Sequence, residues 1–552
     1  MSSSSSSVSP AELQALQKCI DKVARGRKVA AACIYGSKVA GYARPDSDID
    51  ILVVLENYPY RVKYAYMKES GVDISALVVN KKSLERDAKS ARMGEFVVGR
   101  LLHVYEPVIN PEFFAEIEQT YKRRVILEEL QELVKSSSAL APEISFPLEY
   151  IAFSKIKRRA AMYPNAAYSY AKTYTSSPRN LDFAMQGYRR ALADIVIEDP
   201  GLFVIDGQTL RLSKDRVRFA RGEPALRLAK KLQHFSSYFI HSYAGRHMFH
   251  LAVREAESKI RRHVGQKVKF PSFLACPACA YWKIPEGVLV VADRHKDWLD
   301  AVAEAHGISS GYTAKKRRLG NPNSRTMLYT LKHGGGEMKI AAKELARTKS
   351  VKWAALSMWT AQVKKFKVDP VFRLGTEYRA LRYLRTLGLK TPEIEAVVLD
   401  RRMIATRFME GPSLADIIRG ALAGSNNNND DLALVREAGR QVAAVHAAGA
   451  CFGNIKPKNV IAKDGLLWFT DLEQFVFEGG DPVWDLAQFV CWGLKGSANA
   501  PAAAKVAAEF LQGYGNEKVA GRLVQSKRYI ENFIPVLSPQ VARAIKNVAR
   551  SL

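Results

Sequence analysis

Cysteine is scarce: six residues in 552, four of which (Cys19, Cys33, Cys451 and Cys491) stand alone. So sparse a set excludes a disulfide scaffold and fits a reducing compartment, so the expected location is cytoplasmic. Long apolar runs are also lacking. No stretch reaches the roughly 18 uninterrupted apolar residues a spanning helix needs, and no membrane association is expected. The serine run from Met1 to Pro10 has no apolar core of the signal-peptide kind and reads as a disordered tail. Acidic residues are the third deficit: 55 Asp and Glu stand against 83 Lys and Arg, a formal charge of +28. The excess is local. Residues 209–269 hold 15 basic and 4 acidic side chains, and residues 313–390 hold 19 and 4, whereas residues 391–552 are nearly neutral with 18 and 17. Charge of this density points to RNA or another polyanion as a partner of those two stretches, against the plainer reading of solvated helix faces.

With 47% apolar residues the chain can bury several cores. Apolar runs predict strands at 30–35, 49–55 and 72–79. Residues 112–262 turn amphipathic, with helices expected over 114–135, 181–196 and 225–241, punctuated by Pro142, Pro147, Pro164 and Pro178. A strand (287–291) and a helix (298–306) follow, and Gly334–Gly336 joins 325–332 to 337–344 as a hairpin. A short strand pair is expected near 460–471. Cys276-x-x-Cys279 has the spacing of half a zinc site, with His263 and His295 the nearest completions, but no second cysteine pair exists.

Two constellations carry chemistry. The first runs from Gly36-Ser37 through ten residues to Asp48-x-Asp50, with Asp73 in the next expected strand. Residues two apart on a strand share a face, so Asp48 and Asp50 are expected side by side, about 7 Å apart. Carboxylate pairs suit Mg²⁺ (or Mn²⁺), Gly36 lets backbone approach a triphosphate, and the Ser37 hydroxyl can bond its oxygens. Asp73 is placed to complete the metal cluster or to accept a proton from the nucleophile. This pattern resembles the polymerase-beta-like nucleotidyltransferases, the minimal subgroup above all. The resemblance implies metal-dependent transfer of a nucleoside monophosphate from a nucleoside triphosphate, ATP being the expected donor, with Asp48, Asp50 and Asp73 as catalytic metal ligands. The acceptor, whether RNA, protein or small molecule, is left open.

The second constellation is Phe452-Gly453-Asn454-Ile455-Lys456-Pro457-Lys458-Asn459, with Asp471 twelve residues on. It resembles the catalytic loop and metal-binding Asp of atypical protein kinases of the RIO and KEOPS-associated type, or of aminoglycoside and lipopolysaccharide kinases. The resemblance implies that Lys343 contacts nucleotide phosphate, that Glu377 is its ion-pair partner, that Asn459 and Asp471 bind metal, that Met409-Glu410-Gly411 connects two lobes and that Asp485 braces the loop. Two departures matter, the milder being that a single glycine stands near Gly320-Asn321-Pro322-Asn323-Ser324, where the Gly-rich loop belongs. Such kinases carry His-Gly-Asp, so Asn454 is an amide where a carboxylate is expected. An amide cannot take a proton at neutral pH, and base catalysis is worth roughly 10² to 10⁴-fold.

The expected architecture is therefore a multidomain mixture of α/β and α+β folds. Residues 1–16 form the tail, 17–110 a nucleotidyltransferase domain, 111–270 a basic helical domain and 271–310 a connecting α/β segment. Residues 311–411 and 412–552 form the two lobes of a kinase-like fold. The leading expectation is a nucleotidyltransferase with a degenerate kinase-like half that binds nucleotide or a partner. An active atypical kinase and a non-catalytic RNA-binding scaffold are the alternatives.

Overall fold

A computed structural model describes residues 7–162, 169–170, 172–174, 176–213, 282–290, 297–308, 311–320, 325–334, 336–345, 366–424, 428–525 and 529–551. Most of the basic stretch 209–269, the Cys276/Cys279 pair, His263, His295 and the expected helix 225–241 lie outside these residues. The fold is mixed α/β and multidomain, and its contacts divide into two compact units: residues 1–135 with 145–282, and residues 136–144 with 283–552. Among the described residues no helix is long and apolar enough to cross a membrane.

The first unit opens with α1 (Pro10–Ala24). Ser9 accepts from the Glu12 N–H at 3.3 Å while the Glu12 carboxylate accepts from the Ser9 N–H at 2.7 Å, so two orphan donors are satisfied before the first turn. Behind it lies a five-stranded sheet in the order β3-β4-β2-β1-β5, with β1 Val29–Tyr35, β2 Ile49–Leu55, β3 Val62–Glu69, β4 Val72–Asn80 and β5 Tyr105–Ile109. Only β2 and β4 run parallel, Ile49 beside Ile74. Period-two alternation sorts the side chains. Ala32, Ile34, Ile49, Ile51, Val53, Ile74, Ala76 and Val78 pack against Leu16, Cys19 and Ile20 of α1, which leaves Tyr35, Asp50 and Ser75 on the opposite face. A short helix, α2 (Ser37–Ala40), follows β1 directly, and α3 spans Lys81–Ser90.

The long helix α4 (Pro111–Ser137) and α6 (Pro178–Glu198) match the helices expected over 114–135 and 181–196, with α5 (Leu148–Met162) between them. The region is not helical throughout. Strands β6 (Ser145–Pro147), β7 (Phe203–Asp206) and β8 (Thr209–Leu212) form a three-stranded sheet, too short for their periodicity to register in the sequence.

The second unit carries a six-stranded sheet in the order β10-β11-β12-β14-β13-β9. Its strands are β9 Val288–Val290, β10 Thr313–Leu319, β11 Thr326–His333, β12 Gly336–Glu344, β13 Ile394–Val398 and β14 Met403–Arg407. The expected hairpin is β11–β12, with His333 opposite Gly336. Helix α7 (Trp298–Ala305) covers one sheet face through Trp298, Leu299 and Val302. Helix α8 (Pro370–Thr386) starts where it does because Asp369 caps the Phe372 N–H at 2.7 Å and Pro370 fits the first turn. Beyond it come α9 (Leu414–Ala423), α10 (Asn428–Ala447), the hairpin β15–β16 (Val460–Lys463, Leu466–Phe469), α11 (Pro482–Gly493), α12 (Ala500–Tyr514), α13 (Glu517–Gln525) and α14 (Pro539–Ser551).

Candidate functional site

In the first unit the turn between β1 and α2 is built on Gly36, whose φ of 83° lies in the left-handed region. A Cβ there would also collide with the Asp50 carboxylate, so glycine answers both the backbone and the neighbouring acid. The turn is held from a second side. Asn180, buried at the start of α6, donates to the Ala40 carbonyl at 2.9 Å and to the Thr173 carbonyl at 2.6 Å. Lys38 of α2 pairs with Glu12 at 2.7 Å. Ser37 thus sits at the start of α2, directly after a glycine that brings backbone against Asp50.

Asp50 is half-buried on β2, opposite Tyr35 and beside Ser75. Asp48 lies one residue before β2 begins, a correction to the expectation that both carboxylates ride one strand: pairing with β4 starts at Ile49, and Asp48 is exposed. Asp73 stands on β4 opposite Lys68 of β3, with its carboxylate 3.6 Å from the Lys68 ammonium and its side chain 60% exposed. The parallel register places Asp73 level with Asp48 and on the same face as Asp50. Asp50 and Asp73 share one sheet face, with Asp48 just outside the strand, and the three are not among the described triads whose oxygens gather within 4.8 Å.

In the second unit Lys343, on β12, points into an acidic cluster. Its ammonium lies 2.8 Å from Glu377 on α8, 3.4 Å from Glu473, and in contact with Asp471. Burial works against the charge, yet Asp471, Glu377 and Glu473 hold the ammonium well above its ordinary range. Burial pushes the Glu377 carboxyl up to about 7, with Lys343 opposing. Asn459 donates to Asp471 at 3.1 Å, and Asp471 adopts a φ of 59°. Glu377, Asp471 and Glu473 bring carboxylate oxygens within 4.8 Å of one another, a donor set of the hard type that suits a divalent cation. Glu473 escaped the sequence reading, which stopped at Asp471; the signal was the acid two residues on. It is held by Arg373 of α8, itself wholly buried, at 3.2 Å.

The loop around Asn454 is fixed by Asp485 of α11, whose two oxygens accept from the Phe452 N–H at 2.6 Å and the Gly453 N–H at 2.7 Å. Trp484 donates to the Gly453 carbonyl at 3.3 Å, and Asn454 itself is buried. Lys456 is drawn over the Trp492 ring, 4.6 Å from its centroid. Glu410 pairs with Lys339, and Gly411, at φ 153°, passes where a Cβ would strike the Ala462 carbonyl. Thus Lys343, Glu377 and Asp471 converge with Asn459, while Lys456 turns to an aromatic ring. The loop from Asn321 to Ser324 lies outside the described residues.

Residues 16–133 match the nucleotidyltransferase domain family. Over 95 residues, 17% of its length, the chain is 27% identical to the KEOPS complex subunit Bud32 of Pyrococcus abyssi, and it spans 41% of that relative. Solved structures that resemble it include WaaP in complex with acyl carrier protein, with 14% identity, 46% of this chain and 93% of the other covered, and a TM-score of 0.28. An aminoglycoside-3'-phosphotransferase of type VIII is another, with 13% identity, coverage of 45% and 100%, and a TM-score of 0.24. The family match thus lies in the amino-terminal part of the chain, and the chain spans under half the length of the curated relative it resembles.

Proposed function

We propose that the protein transfers a nucleoside monophosphate from a nucleoside triphosphate, with ATP the expected donor, to an acceptor hydroxyl, through the site at Gly36, Ser37, Asp48, Asp50 and Asp73. The observation that carries this reading is the Gly36 turn, where the missing side chain leaves backbone and the Asp50 carboxylate in contact. Asp48 and Asp50, with Asp73, are the residues that would hold Mg²⁺ or Mn²⁺; oxygen donors of this kind fit a hard cation. When bound, such ions neutralise triphosphate charge and polarise phosphorus–oxygen bonds. The chain's own part is as follows. Gly36 and Ser37 receive the β and γ phosphates at the first turn of α2. The acceptor oxygen forms its bond to the α phosphorus as the α–β bridging bond breaks. Pyrophosphate leaves with the electron pair, and the acceptor proton passes to the Asp73 carboxylate.

The kinase-like region then binds nucleotide or a partner through Lys343, Glu377, Asn459 and Asp471, with Asn454 leaving it without a base on its loop. A second reading, an active kinase, is favoured by the assembled Lys343–Glu377 pair and the braced loop. RNA is the favoured acceptor class, in keeping with β10, whose Lys315, Lys316, Arg317 and Arg318 are all exposed.

The decisive experiment supplies α-labelled and γ-labelled nucleotides to the full chain in the presence of RNA, protein and small-molecule fractions. Transfer of α label that falls at least 10³-fold in the Asp48→Asn, Asp50→Asn double variant, with an unchanged thermal melt, is expected. Transfer of γ label alone would establish the kinase reading instead, and no transfer with any fraction would leave a binding scaffold.

A further inference from the structure

The acceptor side of the first unit carries a feature that the reaction scheme does not use. In-line displacement puts the attacking and leaving oxygens on opposite sides of phosphorus. Pyrophosphate is assigned to Gly36 and Ser37, at the end of β1, so the acceptor must enter from the other direction, over β4 and β3. On that side the sheet face displays Tyr66, which is 53% exposed and stands opposite Ser75, itself beside Asp50. With adjacent strands about 4.8 Å apart, Tyr66 lies roughly 10 Å from Asp50 across the sheet, within the reach of one nucleotide.

The ring is not loose. Tyr66 stacks on Tyr64, centroids 5.9 Å apart and planes 12° from parallel, and the Tyr64 hydroxyl accepts from Arg100 at 3.0 Å. Phe96 meets the edge of Tyr64 at 6.1 Å. Ala65 and Met67 point to the α1 core, so alternation turns Tyr64, Tyr66 and Lys68 to the face that bears the carboxylates. Lys68 is exposed and adjoins Asp73. The segment as a whole, residues 57–68, interleaves Tyr58, Tyr60, Tyr64 and Tyr66 with Arg61, Lys63 and Lys68, and β3 is an edge strand. Aromatic faces alternating with cations are the composition that binds single-stranded nucleic acid, since every base offers a π face and every phosphate a charge.

We propose that Tyr66, propped by Tyr64 and Arg100, is the stacking platform for the terminal base of a single-stranded RNA acceptor, with Lys68 against its phosphate. This rests on the nucleotidyl-transfer reading for its orientation. It gives the RNA acceptor that reading favours a place of contact on the sheet.

The test uses the full chain and a single-stranded RNA 10-mer ending in 5-iodouridine. Ultraviolet crosslinking followed by peptide mass spectrometry is expected to place the adduct on Tyr66. In the α-label assay Tyr66→Ala is expected to raise KM for the 10-mer between about 5-fold and 150-fold, the range of one lost stacking contact, while KM for the triphosphate stays put. Tyr66→Phe keeps the ring and is expected to behave as wild type. Adducts confined to other segments, an unchanged KM in Tyr66→Ala, or a Tyr66→Phe variant as weak as Tyr66→Ala would each overturn the platform. Crosslinking needs no turnover. An adduct on Tyr66 in a chain that transfers no label keeps the platform and sinks the transfer reading; transfer without the adduct does the reverse.

Discussion

His103 shows how a single side chain records its surroundings. Tyr174 donates its hydroxyl proton to the Leu102 carbonyl at 3.1 Å, so at the 3.0 Å contact with His103 it must accept, which puts the imidazole proton on Nδ1. Nε2 is left as a buried lone pair with no hydrogen-bond partner. The ring stacks on Tyr170, at 4.6 Å, and burial, reinforced by Arg159, Lys122 and Arg100, pushes its pKa down to about 3 from an ordinary 6.5. A depressed folded value means that the stabilisation from this neutral ring is complete above pH 6.5 and is lost as pH falls towards 3, because the unfolded chain takes up the proton first. Lowering the pH from 6.5 to 4.5 is expected to cost roughly 2 kcal/mol at this position. Denaturant titrations of wild type and His103→Gln across that window check it: the variant should show the shallower loss, and parallel curves would refute the assignment. Among the carboxylates, legibility was uneven for a physical reason. Gly36-Ser37 and Asp48-x-Asp50 announce themselves because a positive-φ turn against an acid tolerates so few residue types. Glu473 did not, since its role comes from Arg373 a hundred positions away.

At the level of elements, strands β1, β2 and β4 were readable because both of their faces are buried, giving continuous apolar runs such as that of 51–55. Strand β3 was not, because as an edge it alternates exposed Lys63, Tyr66 and Lys68 with half-buried neighbours. The most consequential element without a sequence signature is the short 3-10 segment Ser138–Glu143, which packs on α8. A Cβ at Gly375 would strike the backbone of Ala139 and Leu140, and Glu143 is buried against Arg382 at 2.6 Å and Arg379 at 3.7 Å. Helix α8 also carries Glu377 and Arg373, so the acid that meets Lys343 depends on this clamp. Gly375→Ala is expected to destabilise by roughly 1–2 kcal/mol, overpacking outweighing the better helix propensity of alanine, and to speed amide exchange along α8. A melt raised above wild type would show that the segment yields freely.

For the molecule as a whole, the +28 charge sets how it meets polyanions. Strand β10 is an exposed part of that excess: every residue from Thr313 to Arg318 is open, on both faces of an edge strand. Binding of a single-stranded RNA should weaken with salt, and the triple variant Lys315→Gln, Lys316→Gln, Arg317→Gln should lower the log–log slope by about 2, at roughly 0.7 per phosphate contact. A slope equal to wild type, measured by fluorescence anisotropy, would remove β10 from the interface.

The path of the backbone through Ser138–Glu143 reaches beyond energetics. The chain leaves its first unit after Lys135, lends nine residues to the second, and returns at Ser145. No single scission can therefore part the transferase half from its companion cleanly: a fragment ending near residue 282 would carry an orphaned apolar tongue, and one beginning at 283 would bare the groove at Gly375.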